Sequence, residues 1–224
     1  TYPVASMNTT DYFNLMHVYL DAVFNPLMLT DPRILKQEGW HYDLQDKEAP
    51  ITCKGVVYNE MKGAFSDPMT ELYYHIGKNL FPDNAYGCES GGHPREIPTL
   101  TQDDFTAFHR KFYHPSNSYI FLYGDADLAR ELTFIDEKYL TFYTKSDDTI
   151  DIPLQQPFTE LKVNEAIYAI PEGGDTKDST FLSLSFVTNV NTDRTTSMAL
   201  NLIANALVNH ESAPVRLALE EAGI

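Results

Sequence analysis

Cysteine is scarce in this 224-residue sequence: there are two, Cys53 and Cys88, in unlike contexts. Two thiols make no disulfide framework, and such usage fits a reducing compartment. A nucleophilic role for Cys53 would need a partnering base, and no pattern around it supplies one. It reads instead as a buried structural thiol. Long apolar runs are missing too. The longest are interrupted by Asp, Asn or Lys, so nothing reads as a transmembrane helix. No signal or transit pattern is visible, which decides nothing about what precedes Thr1.

Basic charge is in short supply. Lys and Arg number 16 against 32 Asp and Glu, a formal charge of −16. That argues against nucleic acid, which calls for a basic face. It is compatible with long-range attraction of basic peptides, although acidic surfaces mainly serve solubility. The seven histidines are His17, His41, His75, His93, His109, His114 and His210. No two stand four apart, so no helix carries a His pair at metal-ligand spacing. His109 and His114 are five apart, on different faces of one helix, and make poor joint ligands. No phosphate-loop motif occurs; Ser90-Gly91-Gly92 has no helix cap behind it and reads as a structural loop buttressing its neighbour.

What is present is ordinary globular material, 43% apolar and 21% charged. The length allows one large domain or two small ones. Thr1–Ser6 is β-prone. Asn8-Thr9-Thr10 offers caps for a helix to Phe24, with Tyr12, Leu15, Met16, Tyr19, Leu20 and Val23 as its stripe and Asn25-Pro26 as its stop. Thr30-Asp31-Pro32 starts a short helix to Gly39, and Trp40–Leu44 alternates like a strand. Residues 81–98 form a long loop rich in turn formers. Thr101-Gln102-Asp103-Asp104 is a capping box opening a helix through Phe105, Phe108 and Phe112. Ser118–Tyr123 reads as a strand, and residues 127–143 as a helix. Residues 144–158 combine charge with two Pro and read as a linker. Beyond it, Glu160–Ile170 and Ser179–Val187 read as strands, with helices over 193–208 and 214–221.

One stretch stands apart: Lys54-Gly55-Val56-Val57-Tyr58-Asn59-Glu60-Met61-Lys62-Gly63-Ala64-Phe65-Ser66-Asp67-Pro68. Val56, Val57, Glu60, Met61 and Ala64 recur at the spacing of one helical face. That face is apolar except for Glu60. A lone Glu in a helix is ordinarily a solvated surface residue. On a buried apolar face it needs a metal cation or a basic partner to offset its desolvation. The pattern predicts a helix whose apolar face is buried, with the Glu60 carboxylate in a cleft. Gly55 and Gly63 predict close backbone approach to a neighbour, and Ser66-Asp67-Pro68 a break followed by a second helix to Leu80.

G-V-V-Y-N-E-M-K-G-A followed by S-D-P resembles the signature of the pitrilysin/insulinase family of zinc metallopeptidases, in its presequence-protease branch. Thr1-Tyr2-Pro3-Val4-Ala5-Ser6, Tyr19–Phe24, Gln37–Tyr42, Ser90-Gly91-Gly92 and Tyr113-His114-Pro115-Ser116-Asn117 are similar to landmarks of that branch, in order. The resemblance implies an α+β fold, an antiparallel sheet packed with helices. Residues 1–143 would be the later part of a first peptidase domain, and 159–224 the start of a second, non-catalytic one. It implies zinc as cofactor and Glu60 as the third, carboxylate ligand. The first two ligands and the general base belong, in that family, to an upstream H-x-x-E-H, which this sequence lacks. The chain is therefore expected to be an internal piece of a longer peptidase, inactive and zinc-free alone.

Implied partners are unfolded peptides and the remaining segments of its own chain, with no nucleic acid and no membrane. The implied compartment is the cytoplasm in a bacterium, and the mitochondrial matrix or another organelle in a eukaryote. Two other readings stay open: a non-catalytic structural subunit of the same family, and a peptide-binding module.

Overall fold

The computed structural model describes residues 1–146 and 150–223. Asp147, Asp148 and Thr149, inside the predicted linker, and Ile224 lie outside the described residues. The fold is α+β. Its helices are α1 (Thr9–Phe24), α2 (Val56–Ala64), α3 (Pro68–Leu80), α4 (Gln102–Phe112), α5 (Leu128–Lys138), α6 (Arg194–Leu207) and α7 (Pro214–Glu221). Among the described residues one sheet forms, from β1 (His41–Asp43) and β2 (Thr52–Lys54), antiparallel with Tyr42 opposite Cys53. The Lys54 ammonium lies 2.7 Å from a carboxylate oxygen of Asp43, diagonally across this pair. The chain divides into two compact units, Thr1–Gln156 with Glu160–Phe181, and Pro157–Thr159 with Leu182–Ile224.

Local chemistry starts the helices where the sequence places caps. The Asn8 side chain accepts from the Asp11 amide, and Asp67 from the Thr70 amide with Pro68 in the first turn. Thr101 and Asp104 exchange both bonds of a capping box, at 3.2 and 3.0 Å. Each satisfies donors that the first helical turn leaves open.

In the first unit, Phe13, Met16 and Phe24 of α1 are buried, as are Ile135 of α5 and Tyr139 beyond it. Phe13 and Phe134 meet edge to face at 5.4 Å. The Tyr139 hydroxyl donates to the His17 carbonyl at 2.7 Å, and His109 of α4 contacts the Val23 carbonyl at 2.7 Å through Nε2. These bonds tie α5 and α4 to α1, and His17 and His109 serve the packing. A second buried group joins Phe65, Glu71, Tyr74, His93 and Ile97. In the second unit α6 and α7 contact each other, and Asn189 bonds Ser197 at 3.0 Å. Met198 and Leu202 of α6 are exposed.

Several predicted strands do not form. Thr1–Ser6, Ser118–Tyr123, Glu160–Ile170 and Ser179–Val187 carry no ladder bonds in the structure. A strand is completed by a neighbour that takes up its backbone groups, and among the described residues none forms a ladder with these segments; Tyr168 and Phe181 meet through their rings at 5.7 Å without one. Tyr119, Phe121 and Tyr123 are correspondingly exposed. Conversely, β2 is not among the strands the sequence predicts; its pairing with β1 is invisible in three residues of sequence. The short helix predicted from Thr30-Asp31-Pro32 to Gly39 forms and ends at Gly39, but as a π-helical turn over Leu35–Gly39, and a separate 3-10 turn, Leu27–Leu29, precedes it.

Gly63 does not meet the expectation of close approach. A Cβ placed there finds nothing within 4 Å. Gly63→Ala is therefore expected to stabilise the protein by about 0.5–1 kcal/mol, the helix penalty of glycine relative to alanine. An upward shift of the urea midpoint at constant slope would show it.

Candidate functional site

The signature stretch does fold as a helix, α2, beginning where β2 ends at Lys54. No side chain caps its start. Its entry is set instead by Gly55, where a Cβ would stand 2.1 Å from the Gly39 carbonyl oxygen and 2.8 Å from the Trp40 Cα. Only glycine lets α2 start against that backbone. The Gly39–Trp40 backbone thus seats the N-terminal end of α2. At the other end the chain turns through Phe65, Ser66 and Asp67 into α3.

The face bearing Glu60 is not the one expected. Val56 is 55% exposed and Val57 36%, no residue of α2 is buried, and Glu60 is exposed. The prediction of a buried apolar face with Glu60 in a cleft is corrected accordingly. Periodicity places these residues on one side of the helix, but of them only Met61 is half-buried; Val56, Val57, Glu60 and Ala64 are exposed. Besides its packing against Leu35–Gly39 and β2, α2 makes a contact through Met61. A Cβ on Gly91 would lie 2.4 Å from Met61 Sδ, so the Ser90-Gly91-Gly92 loop rests on the residue next to Glu60. The buttressing loop read from the sequence is in place.

The carboxylate of Glu60 makes no hydrogen bond or ion pair among the described residues. It is an anionic oxygen donor left available, which suits one ligand position of a zinc site. The histidines do not complete such a site. His41 Nδ1 contacts the Lys36 carbonyl at 2.6 Å, and His109 is tied to Val23. His93 and His114 each accept a backbone amide two residues on, both at 3.1 Å. His17 bonds Tyr139, and His75 lies 3.4 Å from Glu71. Among the described residues no three His, Cys, Asp or Glu side chains converge to hold a metal. The residues present thus fit a single ligand, and a full zinc site would need donors from elsewhere.

Sequence reasoning missed the polar group behind α2. Glu71 and His93 are both buried, with Glu71 Oε2 3.7 Å from His93 Nε2. The two are 22 residues apart on a helix and in a loop, and nothing in their sequence surroundings pairs them. Beside them the Lys78 ammonium donates to the Tyr74 hydroxyl at 2.8 Å and to Glu96 at 3.1 Å. The Lys78 bond holds the Glu96 carboxyl below its ordinary range, with Tyr74 adding to it. Cys88 is exposed, lining a hollow of about 240 Å³ with Tyr73, Tyr86 and Glu89; Glu60 is not on its wall. Cys53, expected to be buried, is half-buried. Among the described residues no helix is long and apolar enough to cross a membrane.

Comparison with known proteins adds the family. The model described as the peptidase M16 inactive domain matches residues 99–224. Protein HypA of Clostridium perfringens is 45% identical over 223 residues, covering all of this chain and 23% of that protein. Presequence protease 1, chloroplastic/mitochondrial, of Arabidopsis thaliana is 40% identical over 226 residues, covering all of this chain and 21% of the plant protein. The mitochondrial presequence protease of Mus musculus is 36% identical over 230 residues, again across the whole chain and 22% of its own length. The chain spans less than a quarter of the length of these relatives.

Proposed function

This chain belongs to the M16 peptidases, in their presequence-protease branch, and on that premise we propose that it works as part of a zinc metallopeptidase that degrades unfolded peptides such as targeting presequences. The observation that carries this reading is Glu60: an exposed, unengaged carboxylate on α2, within the family signature, in a chain similar from end to end to presequence proteases. In this reading Glu60 is one protein ligand of zinc, and the two histidine ligands and the general base come from outside these residues. A bound zinc would polarise the scissile carbonyl and lower the pKa of its water. What this chain does is hold the carboxylate on a helix whose start is seated by the Gly39–Gly55 contact. Residues 1–143 would belong to the domain that carries the ligand, and 159–224 to a following non-catalytic domain. The 224 residues alone would neither hold a catalytic zinc nor cleave peptides. The compartment would be the mitochondrial matrix or another organelle in a eukaryote, in keeping with the names of the plant and mouse relatives, and the cytoplasm in a bacterium.

A second reading has one observation in its favour. Residues 99–224 match a domain described as inactive, which is compatible with a non-catalytic structural subunit. Glu60 lies outside that match. The signature around Glu60 is intact, which a structural subunit would not need, so the peptidase reading is preferred. The test is cleavage of an unfolded presequence-like peptide by the full-length protein, with and without a chelator. Chelator-sensitive cleavage restored by zinc supports the peptidase; a folded protein with no metal-dependent cleavage supports the subunit.

A further inference from the structure

Resting on the reading of Glu60 as a metal-facing carboxylate, we propose that Gly91 and His93 are positioning residues: the loop they anchor sets where α2 presents Glu60. The helix cannot place itself. It spans nine residues, has no side-chain cap and buries none of its own side chains. A free-standing helix of that length is unstable in water, so its position must come from its contacts. Two of these lie near its ends, at Gly55 and at Phe65. Besides its packing against Leu35–Gly39, α2 meets the loop at the residue following Glu60: a Cβ on Gly91 would come within 2.4 Å of Met61 Sδ and 2.8 Å of Cε. Met61 follows Glu60 directly, so a shift of Met61 along the helix axis carries Glu60 with it.

The loop is held in turn by His93, which is 5% exposed. Its ring meets Phe65 edge to face at 4.6 Å and lies against Tyr74 at 4.5 Å. One residue is just past α2 and the other is on α3, so the imidazole bridges the junction of the two helices. Its Nδ1 accepts the Arg95 amide at 3.1 Å. With Nδ1 an acceptor, the ring proton sits on Nε2, on the side where Glu71 Oε2 lies 3.7 Å away. Two Gly precede this anchor. Gly92 has φ of 86°, a conformation that side chains rarely adopt, and it turns the chain so that Gly91 rests on Met61. Loop, α2 and α3 are thereby locked at one point, one turn from Glu60.

The experiment uses the full-length protein and its variants Gly91→Ala, Met61→Ala, Gly91→Ala with Met61→Ala, His93→Ala, His93→Asn and Glu60→Gln. Zinc affinity by chelator competition, kcat and KM, and melting of the zinc-free protein are read for each. Gly91→Ala is expected to weaken zinc binding roughly 10- to 100-fold, the effect usual for residues that orient a ligand, with KM and the zinc-free melting curve unchanged. The double variant, which removes the flexible side chain that the new methyl strikes, recovers most of the loss. His93→Asn keeps an acceptor for the Arg95 amide and retains more zinc affinity than His93→Ala. If Glu60→Gln loses zinc while Gly91→Ala and His93→Ala bind it as the parent does, the ligand reading stands and the positioning role is wrong. If Glu60→Gln keeps its zinc, the ligand reading fails and this proposal goes with it. Should Gly91→Ala not fold, the double variant and the His93 pair decide: equal zinc affinity in all three and the parent overturns the proposal.

Discussion

Glu60→Gln in the full-length protein is expected to lower bound zinc and peptide cleavage together, roughly 100-fold or more. Second-sphere changes alone cost 10- to 100-fold, and this change removes a ligand. The amide has the shape of the carboxylate but not its charge, and zinc is held by anionic or imidazole donors. The structure makes this substitution clean. The Glu60 side chain is exposed and makes no hydrogen bond or ion pair among the described residues. Its replacement should therefore leave folding stability within about 0.5 kcal/mol, the range of surface changes away from special features. Metal analysis, a cleavage assay and a melting curve on the same preparation separate the two effects. Full zinc occupancy with normal turnover contradicts the ligand role, and a collapsed melting curve contradicts the exposed placement.

Gly55→Ala is expected to be the most damaging single change in the signature helix. The new Cβ would lie 2.1 Å from the Gly39 carbonyl oxygen, 2.6 Å from its carbon and 2.8 Å from the Trp40 Cα. All three are backbone atoms, so no side chain can swing aside. The chain must separate α2 from the turn before β1, at a cost of about 3 kcal/mol or more, at the top of the range for overpacking. A chain of this size loses about 2–4 °C of melting temperature per kcal/mol. Denaturant midpoints of Gly55→Ala and Gly63→Ala measured side by side should move in opposite directions. The same substitution eight residues along the same helix meets open space. Equal midpoints would refute the close approach.

Much of the helical architecture was legible because it is written locally. Asn8, Asp67 and the Thr101–Asp104 box announce α1, α3 and α4 within four residues of where each begins. The signature helix and its restart at Pro68 were readable for the same reason. Strands were not, because a strand is a relation between segments. Ser118–Tyr123 has the composition of a strand and no partner among the described residues, whereas Thr52–Lys54 has little composition and a partner in β1. Periodicity identified the residues sharing a face with Glu60. It could not say whether that face is covered, which depends on other segments. The Glu71–His93 pair was out of reach for a similar reason. Buried polar residues look in sequence like any others until the fold joins them, and here a loop of turn-forming residues does the joining.

The similarity to presequence proteases names the family, while the role of Glu60 is a claim about one carboxylate. Its most direct measurement is anomalous diffraction at the zinc edge from crystals of the full-length protein grown with zinc. The expected result is a peak with a Glu60 carboxylate oxygen at about 2.0–2.2 Å, the zinc–carboxylate distance. A fully occupied zinc with its ligands elsewhere and Glu60 pointing to solvent would contradict it.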